Sequence, residues 1–388
     1  MIEEDQTAPS QWESTAAWRE LLTGLGELDQ VFLTGPKAVG DDQAIAEGYR
    51  ALATALEVAF DTYLFADPTR PIFVDLNTPF RRDRRWGGDN TDAYYTFTPI
   101  DPSRRYRITG NRGDSVYFSL TIYNEPTPGS WSNQIVAIAN DDDLTYDEDG
   151  NFEILLGPSR PDGYDGTFLA LNDDGAIALT RDYQVDPLTG RRIDWVIEAL
   201  DPPGSLVRTD AATAVSLRTA LRWVQMLFAI IPLTLAPRED ETTLGHNSAT
   251  RANDVAEPYQ VQDANFGWSA RDAAYCFGSF SLEPDEALVV THRPPACRFW
   301  NVIVWNQFMA GHNVADERTS VNIGSAVPNS DGTVTVVIAR ERLAHPNAIS
   351  TVDRPDGAIA FRWFIAESVP AKPTVSLVKA ADAPTAVT

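Results

Sequence analysis

Cysteine and histidine are scarce in this chain, with two and four among 388 residues. Cys276 and Cys297 cannot build a disulfide framework, and neither sits in a CxxC pair, which removes zinc-ribbon and dithiol redox chemistry. Cys276, within Ala-Tyr-Cys-Phe-Gly, alternates like a strand residue and reads as a buried thiol. His246, His292, His312 and His345 form no HxH or HExxH spacing, so a histidine metal centre lacks its ligands. Positive charge is also in deficit. The 31 Lys and Arg face 55 Asp and Glu, a net charge of −24, and such a field repels nucleic acid and anionic membrane surfaces. No apolar run approaches the about 20 residues that span a bilayer. The most apolar stretch, Trp223 to Leu235, is shorter, contains Gln225 and Pro232, and reads as a buried helix. Met1-Ile2-Glu3-Glu4-Asp5-Gln6 lacks the basic and apolar regions of a secretory signal. P-loops, GxGxxG turns after a strand and GxSxG elbows are missing as well, so phosphate-transfer, dinucleotide and lipase readings lack their minimum parts. The expectation is a cytoplasmic protein without metal or cofactor. Its partner would be a small molecule rather than nucleic acid or a membrane, with a homo-oligomer left open.

What is present is a globular composition, 43% hydrophobic and 10% aromatic, over a length that allows two to three domains at about 150 residues each. Trp18, Leu21, Leu22, Leu25, Leu28 and Val31 recur at helical spacing. Asp41 and Asp42 can cap a second helix whose stripe is Ile45, Tyr49, Leu52, Leu56 and Phe60. These helices read as a small layer or lid. From Pro71 to about Leu200 the period becomes two, with strand-like runs at Tyr94 to Thr98, Tyr106 to Thr109, Val116 to Tyr123, Gln134 to Ala139 and Phe152 to Leu156. Asn-, Asp- and Gly-rich turns separate them, which predicts antiparallel pairing. A helix from about Asp210 ends at Pro232, and residues 236 to 262 read as a long loop. Strand-like alternation returns at Ala273 to Phe280, Ala287 to His292, Phe299 to Trp305, Thr333 to Ile338 and Ala358 to Ile365. The predicted fold is α+β and mainly β, with two antiparallel β-sandwich-like, jelly-roll-like domains plus N-terminal and central helices. The boundaries are a helical segment at 1–68, a first β domain at 69–205, the central helix and loop at 206–262, a second β domain at 263–372 and a tail at 373–388. Two β blocks each preceded by helix also allow a distant duplication.

Several strings then resemble a known family. Gly88-Asp89-Asn90-Thr91-Asp92-Ala93-Tyr94-Tyr95 and Tyr106-Arg107-Ile108-Thr109-Gly110-Asn111-Arg112-Gly113 are similar to the first half of bacterial proteins carrying domain of unknown function 1214. Phe152 to Pro158, Asp165 to Leu169 and Thr180-Arg181-Asp182-Tyr183 follow in the family's order. So do Arg298 to Val302, Thr319 to Asn322, Asp331 to Thr335 and Phe361-Arg362-Trp363. The resemblance covers roughly residues 70 to 366 and implies β domains with helical elements, with a related N-terminal region of the 1254 type. It implies no agreed activity. One departure stands out: where the family usually has Asn-Trp-Leu-Asp-Thr-x-Gly-His, this chain has Asn347-Ala348-Ile349-Ser350-Thr351-Val352-Asp353-Arg354. Ser350 and Arg354 stand in place of its Asp and His.

The candidate site residues gather before and along strands. Asp92 is the candidate general base, its pKa set by burial and by Arg84, Arg85 or Arg107, with Tyr94 orienting a substrate hydroxyl. Asn90 would bind alongside, and the same stretch also fits an Asx turn. Arg107 is either a bidentate clamp for a ligand carboxylate or sulfate or one half of a structural ion pair with one of the many carboxylates. Arg181 and Tyr183 share one strand face and can extend a polar cleft or pack a core edge. Asn265-Phe266-Gly267-Trp268 and the run Arg298 to Asn306 mix aromatics with amides. Period two puts Trp300, Val302 and Val304 on one face and Asn301, Ile303 and Trp305 on the other. Trp268 and Trp305 could therefore line a pocket for a sugar or an amphiphilic ring. The acidic run Asn140 to Gly150 lacks the register of a calcium loop and reads as a solvated hairpin. The functional expectation is a cofactor-independent acid/base enzyme, of hydrolase, lyase or isomerase type. Its substrate would be a hydroxylated or amphiphilic, glycan-, steroid- or lipid-like molecule. The alternatives are a non-catalytic binder of such a ligand or a structural interaction protein.

Overall fold

The computed structural model describes residues 12–81, 84–239, 249–262 and 267–388. Of the sequence readings, the N-terminal hexapeptide, His246 and the Asn265-Phe266 pair lie outside the described residues. Helix α1 (Glu13–Leu28), the short α2 (Gln30–Leu33) and α3 (Asp42–Tyr63) open the chain. Asp41 caps α3, accepting from Ala44 N at 2.9 Å, a bond that satisfies an otherwise orphaned amide of the first turn.

Nine strands follow: β1 (Val74–Asn77), β2 (Ala93–Pro99), β3 (Tyr106–Asn111), β4 (Tyr117–Asn124), β5 (Ile135–Asn140), β6 (Asn151–Gly157), β7 (Thr167–Ala170), β8 (Gly175–Tyr183) and β9 (Val196–Ala199). They form two sheets, ordered β1-β2-β8-β4-β5 and β7-β6-β3-β9. Helix α4 (Asp210–Phe228) then packs against α1 and α3. Its Asp210 carboxylate accepts from Glu13 N at 2.7 Å, which ties the start of α1 to the start of α4.

The second domain contains β10 (Asp254–Val255), β11 (Tyr259–Gln260), β12 (Ala273–Ser281), β13 (Glu286–His292), β14 (Phe299–Trp305), β15 (Ser320–Asn322), β16 (Val334–Ala339), β17 (Ala348–Ser350), β18 (Asp356–Phe364) and β19 (Thr374–Lys379). Its sheets run β10-β12-β18-β14-β15, with β11 on the edge of β12, and β17-β16-β13-β19. Apart from the additional short strand β11, the second domain repeats the sheet order of the first. Even the two parallel pairs, β6 with β7 and β16 with β17, recur at equivalent places in otherwise antiparallel sheets. The segment from 373, expected as a tail, instead supplies β19, which pairs with β13 from Thr374 to Lys379.

The duplication extends to register. Tyr95 lies opposite Arg181 on β2 and β8, and Tyr275 lies opposite Arg362 on β12 and β18. Each domain has its own sandwich core, around Ile108, Phe118 and Ile154 in the first and Val290, Trp300 and Phe361 in the second. The other faces of the two central sheets meet each other and the helices in a third core containing Tyr95, Tyr183, Trp223, Tyr275 and Phe364. Four sheets are thus layered, and the inner two bury both faces. That explains why β4, β8, β14 and β18 are buried along nearly their whole length, as strands covered on both sides must be. Among the described residues, no helix is long and apolar enough to cross a membrane.

Candidate ligand-binding cavity

Between the two inner sheets and the end of α4 lies a cavity of about 610 Å³, within the range of about 300–1,000 Å³ in which small-molecule sites fall. Two equivalent loops frame it: Trp86-Gly87-Gly88-Asp89 before β2 and Gly267-Trp268-Ser269 before β12. Gly87 and Gly267 have φ of 67° and 68°, a left-handed backbone that favours glycine. Tyr95, Leu179, Arg181 and Tyr183 come from the first sheet and Tyr275, Phe277, Trp305 and Arg362 from the second, while Leu227 and Ile230 close the helical side. Four indoles, Trp86, Trp131, Trp223 and Trp268, pack on one another with ring centroids 5.2 to 6.4 Å apart.

The polar groups of the walls cross between domains. Arg181 Nη2 donates to Trp268 O at 2.6 Å and to the Tyr123 hydroxyl at 2.7 Å, while Nη1 donates to Thr121 Oγ1 at 3.1 Å. Its counterpart Arg362 donates through Nη2 to Gly88 O and lies 5.0 Å from the centroid of the Trp305 ring. Trp305 Nε1 donates to Asp89 O at 2.8 Å, as Tyr123 OH donates to Ser269 O at 2.5 Å. Each domain therefore holds the other's loop. The Tyr95 and Tyr183 hydroxyls share a hydrogen bond of 2.8 Å, and burial pushes the Tyr95 hydroxyl up to about 12. Asp89 is committed to Arg85 Nη1 at 3.0 Å and Gly311 N at 2.7 Å. Asn77 and Trp86 line the same space, and the buried Asn77 Oδ1 and Trp86 Nε1 have no hydrogen-bond partner among the described residues.

Of the residues singled out from sequence, Arg181, Tyr183, Trp268 and Trp305 line the cavity, and Asp92, Tyr94, Asn90 and Arg107 do not. Asp92, 2% exposed, is enclosed by the domain interface. It accepts from Asn301 Nδ2 at 2.7 Å and Ser320 Oγ at 3.1 Å. Burial raises its pKa, while bonds from Asn301, Ser320 and Asn322 and the charge of Arg362 oppose the rise. The arginines expected to tune it lie elsewhere: Arg84 pairs with Glu57 and Asp61, and Arg85 with Asp89. Asn90 bonds Asn301 through Nδ2 and Oδ1 and accepts from Asp92 N at 2.9 Å, so it is both an interdomain pin and the Asx turn. Tyr94 points away from the cavity, as its neighbour Tyr95 points in, and donates to Pro187 O at 2.8 Å. Arg107 is an exposed partner of Glu198 at 2.6 Å.

Asp272 is the counterpart of Asp92 and accepts from Tyr117 OH at 3.1 Å and Asn140 Nδ2 at 2.9 Å, again across the interface. The acidic run after Asn140 makes another such link, since Asp141 and Asp142 both pair with Arg298. Among the described residues, no group of three or more His, Cys, Asp or Glu could hold a metal ion. Ser350 donates to Arg340 O at 3.0 Å, and Arg354 pairs with Glu47 of α3 at 2.5 Å. Both lie apart from the cavity lining.

Sequence reading missed Tyr95, Tyr275, Trp86 and Arg362 as members of one site. The signal was there: Gly87, Asp92, Ala93, Tyr95 and Phe97 recur in the same spacing as Gly267, Asp272, Ala273, Tyr275 and Phe277.

Comparison with known proteins agrees with this architecture. An uncharacterized protein from Burkholderia cenocepacia, solved by crystallography, is 25% identical with a TM-score of 0.81, over 95% of this chain and 98% of that one. The VPA0106 protein from Vibrio parahaemolyticus is 12% identical with a TM-score of 0.48, over 92% of this chain and 99% of that one. No curated protein matches the sequence. Both β domains match the model of a family described as protein of unknown function (DUF1214), over residues 93–186 in the first and 282–367 in the second.

Proposed function

We propose that the protein binds a hydroxylated, amphiphilic small molecule in the cavity between its two β domains and holds it without chemical change. The observation that carries this reading is the lining itself: aromatic and aliphatic walls with a few convergent polar groups, which is the composition of a small-molecule site. Asn77 and Trp86 belong to that lining, and each keeps a polar atom, Oδ1 and Nε1, without a hydrogen-bond partner among the described residues, the kind of acceptor and donor that a ligand hydroxyl can use. Turnover by acid/base chemistry would need a general base at the ligand. Asp92 lies outside the lining, and Asp89 is engaged by Arg85 and Gly311. The N-terminal helices, whose region resembles the 1254 type, support α4 where it walls the site. The acidic, cysteine-poor composition supports a cytoplasmic setting.

The test is a thermal-shift panel of alkyl, naphthyl and steroid compounds, each as acid, amide and alcohol, run on the wild type and on Ile230→Trp, which fills the cavity from its helical wall. A ligand that binds only the native state raises the melting temperature. Saturable stabilisation by at least one body type, lost in Ile230→Trp, supports the reading. No stabilisation by any compound, or equal stabilisation of the filled variant, contradicts it.

A further inference from the structure

We propose that the ligand is an oxyanion, a carboxylate, sulfonate or phosphate on an apolar body, with its charged group seated between Arg181 and Arg362 against the Tyr95, Tyr183 and Tyr275 hydroxyls. The inference rests on the binding reading above and adds the chemical class of the ligand. It follows from an excess of donors. Arg181 and Arg362 are 3% and 5% exposed and line the cavity, yet neither has a carboxylate within salt-bridge distance among the described residues. Their bonded acceptors are backbone carbonyls and hydroxyls, which carry no compensating charge. The buried Arg362 Nη1 has no hydrogen-bond partner among the described residues.

The hydroxyls point the same way. One proton serves the Tyr95–Tyr183 bond, so the proton of the accepting hydroxyl is unspent. Tyr275 OH accepts from Ala270 N at 3.2 Å, which leaves its own proton free to donate. Arg181 lies opposite Tyr95 and Arg362 opposite Tyr275 in the two inner sheets, and both arginines line the cavity with Tyr95, Tyr183 and Tyr275. Buried cations are costly unless paired, and a group with only acceptor lone pairs uses all of these donors at once. Asp89 and Asp92 lie within electrostatic reach of Arg362 but are held by Arg85, Gly311, Asn301 and Ser320, so a neutral hydroxyl or amide would leave Arg181 without a counter-ion. The aromatic walls then take the apolar body, which excludes a small inorganic ion as the fitting occupant of a cavity this size.

The experiment compares the acid with its primary amide on three bodies, decanoate, 2-naphthylacetate and a cholanate, by titration calorimetry. The proteins are the wild type, Arg362→Gln, Tyr275→Phe and Arg107→Gln, the last a surface control. At least one acid should bind the wild type about tenfold or more tighter than its amide. The gap should shrink in Arg362→Gln and Tyr275→Phe and persist in Arg107→Gln. Should Arg362→Gln fail to fold, Tyr275→Phe, which removes one hydroxyl and leaves the ring, carries the test alone. Acid and amide binding equally in the wild type would overturn the oxyanion while leaving the cavity reading standing. A gap unchanged in every cavity variant that folds would also overturn it. Binding by no acid on any body would overturn the oxyanion, and the cavity reading then stands or falls with the thermal-shift panel.

Discussion

Arg181 and Arg362 occupy the same register position in two repeated sheets, and each reaches across the domain boundary to a loop carbonyl of the other half, Trp268 O and Gly88 O. The cavity is thus made by both domains, and neither contains a complete wall. Binding there would couple the two halves, because the guanidinium groups that line the cavity also hold the loops. Four consequences can be measured.

Asp92 is a pin between domains, so Asp92→Asn should lower stability and spare the site. The Asn301 amide and the Ser320 hydroxyl both donate to this carboxylate. An amide presented there turns one acceptor into a donor facing a donor, a cost of about 1–3 kcal/mol. Denaturant unfolding should show that loss, with ligand affinity in the folded fraction within about twofold of the wild type. Loss of affinity with unchanged stability would return Asp92 to the ligand.

His292 should make stability fall with acid. Its ring packs edge-on against Trp300 at 4.7 Å and Phe361 at 5.4 Å, neither nitrogen is hydrogen-bonded among the described residues, and burial depresses its pKa to about 3. Below about 6.5 the unfolded chain binds a proton that the folded one refuses, so stability is lost as pH falls from about 6.5 towards 3. By pH 5 the contribution is about 2 kcal/mol. His292→Phe should therefore gain on the wild type as pH drops from 7 to 5. A stability difference that stays constant with pH would rule out this titration.

Trp268 stacks among the indoles that wall the cavity. Trp268→Ala should weaken the tightest ligand about tenfold, the loss of about 1.4 kcal/mol of aromatic contact. Ligand binding to the wild type should also change tryptophan emission, since Trp86, Trp131 and Trp305 line the same space. Emission that does not respond to a ligand bound by calorimetry would move that ligand elsewhere.

An anionic ligand approaches a chain of net charge −24. Its association rate should rise with salt as the repulsion is screened, with a Debye length falling from about 30 Å at 0.01 M to about 3 Å at 1 M. Stopped-flow traces with 2-naphthylacetate at several salt concentrations measure this. A rate that falls with salt would indicate steering by a basic entrance instead.

Much of the fold is legible in the sequence because burial imposes period. Asp41 and the Ile45-to-Phe60 stripe mark α3, and alternation marks β2 to β6 and the strands around Phe299 and Phe361. The short β17 and the exposed edge strand β19 are not legible, since three residues make no period and an edge strand need not be apolar. The site is half legible. Arg181, Tyr183, Trp268 and Trp305 stand out as polar or aromatic residues on strands and turns. That Tyr95 rather than Tyr94 faces the cavity depends on which sheet face meets the other domain, and a single strand does not carry that information. Asp92 misleads because a buried interdomain carboxylate and a general base share the same residue type and the same turn.

The most direct measurement is a crystal structure of the protein with 6-bromo-2-naphthoate, read from the anomalous signal of bromine. One bromine is expected among Trp86, Trp131 and Trp268, with the carboxylate about 3 Å from an arginine nitrogen of Arg181 or Arg362 and from a tyrosine hydroxyl. Bromine found only on the outer surface, or a carboxylate turned away from both arginines in an occupied cavity, would contradict it.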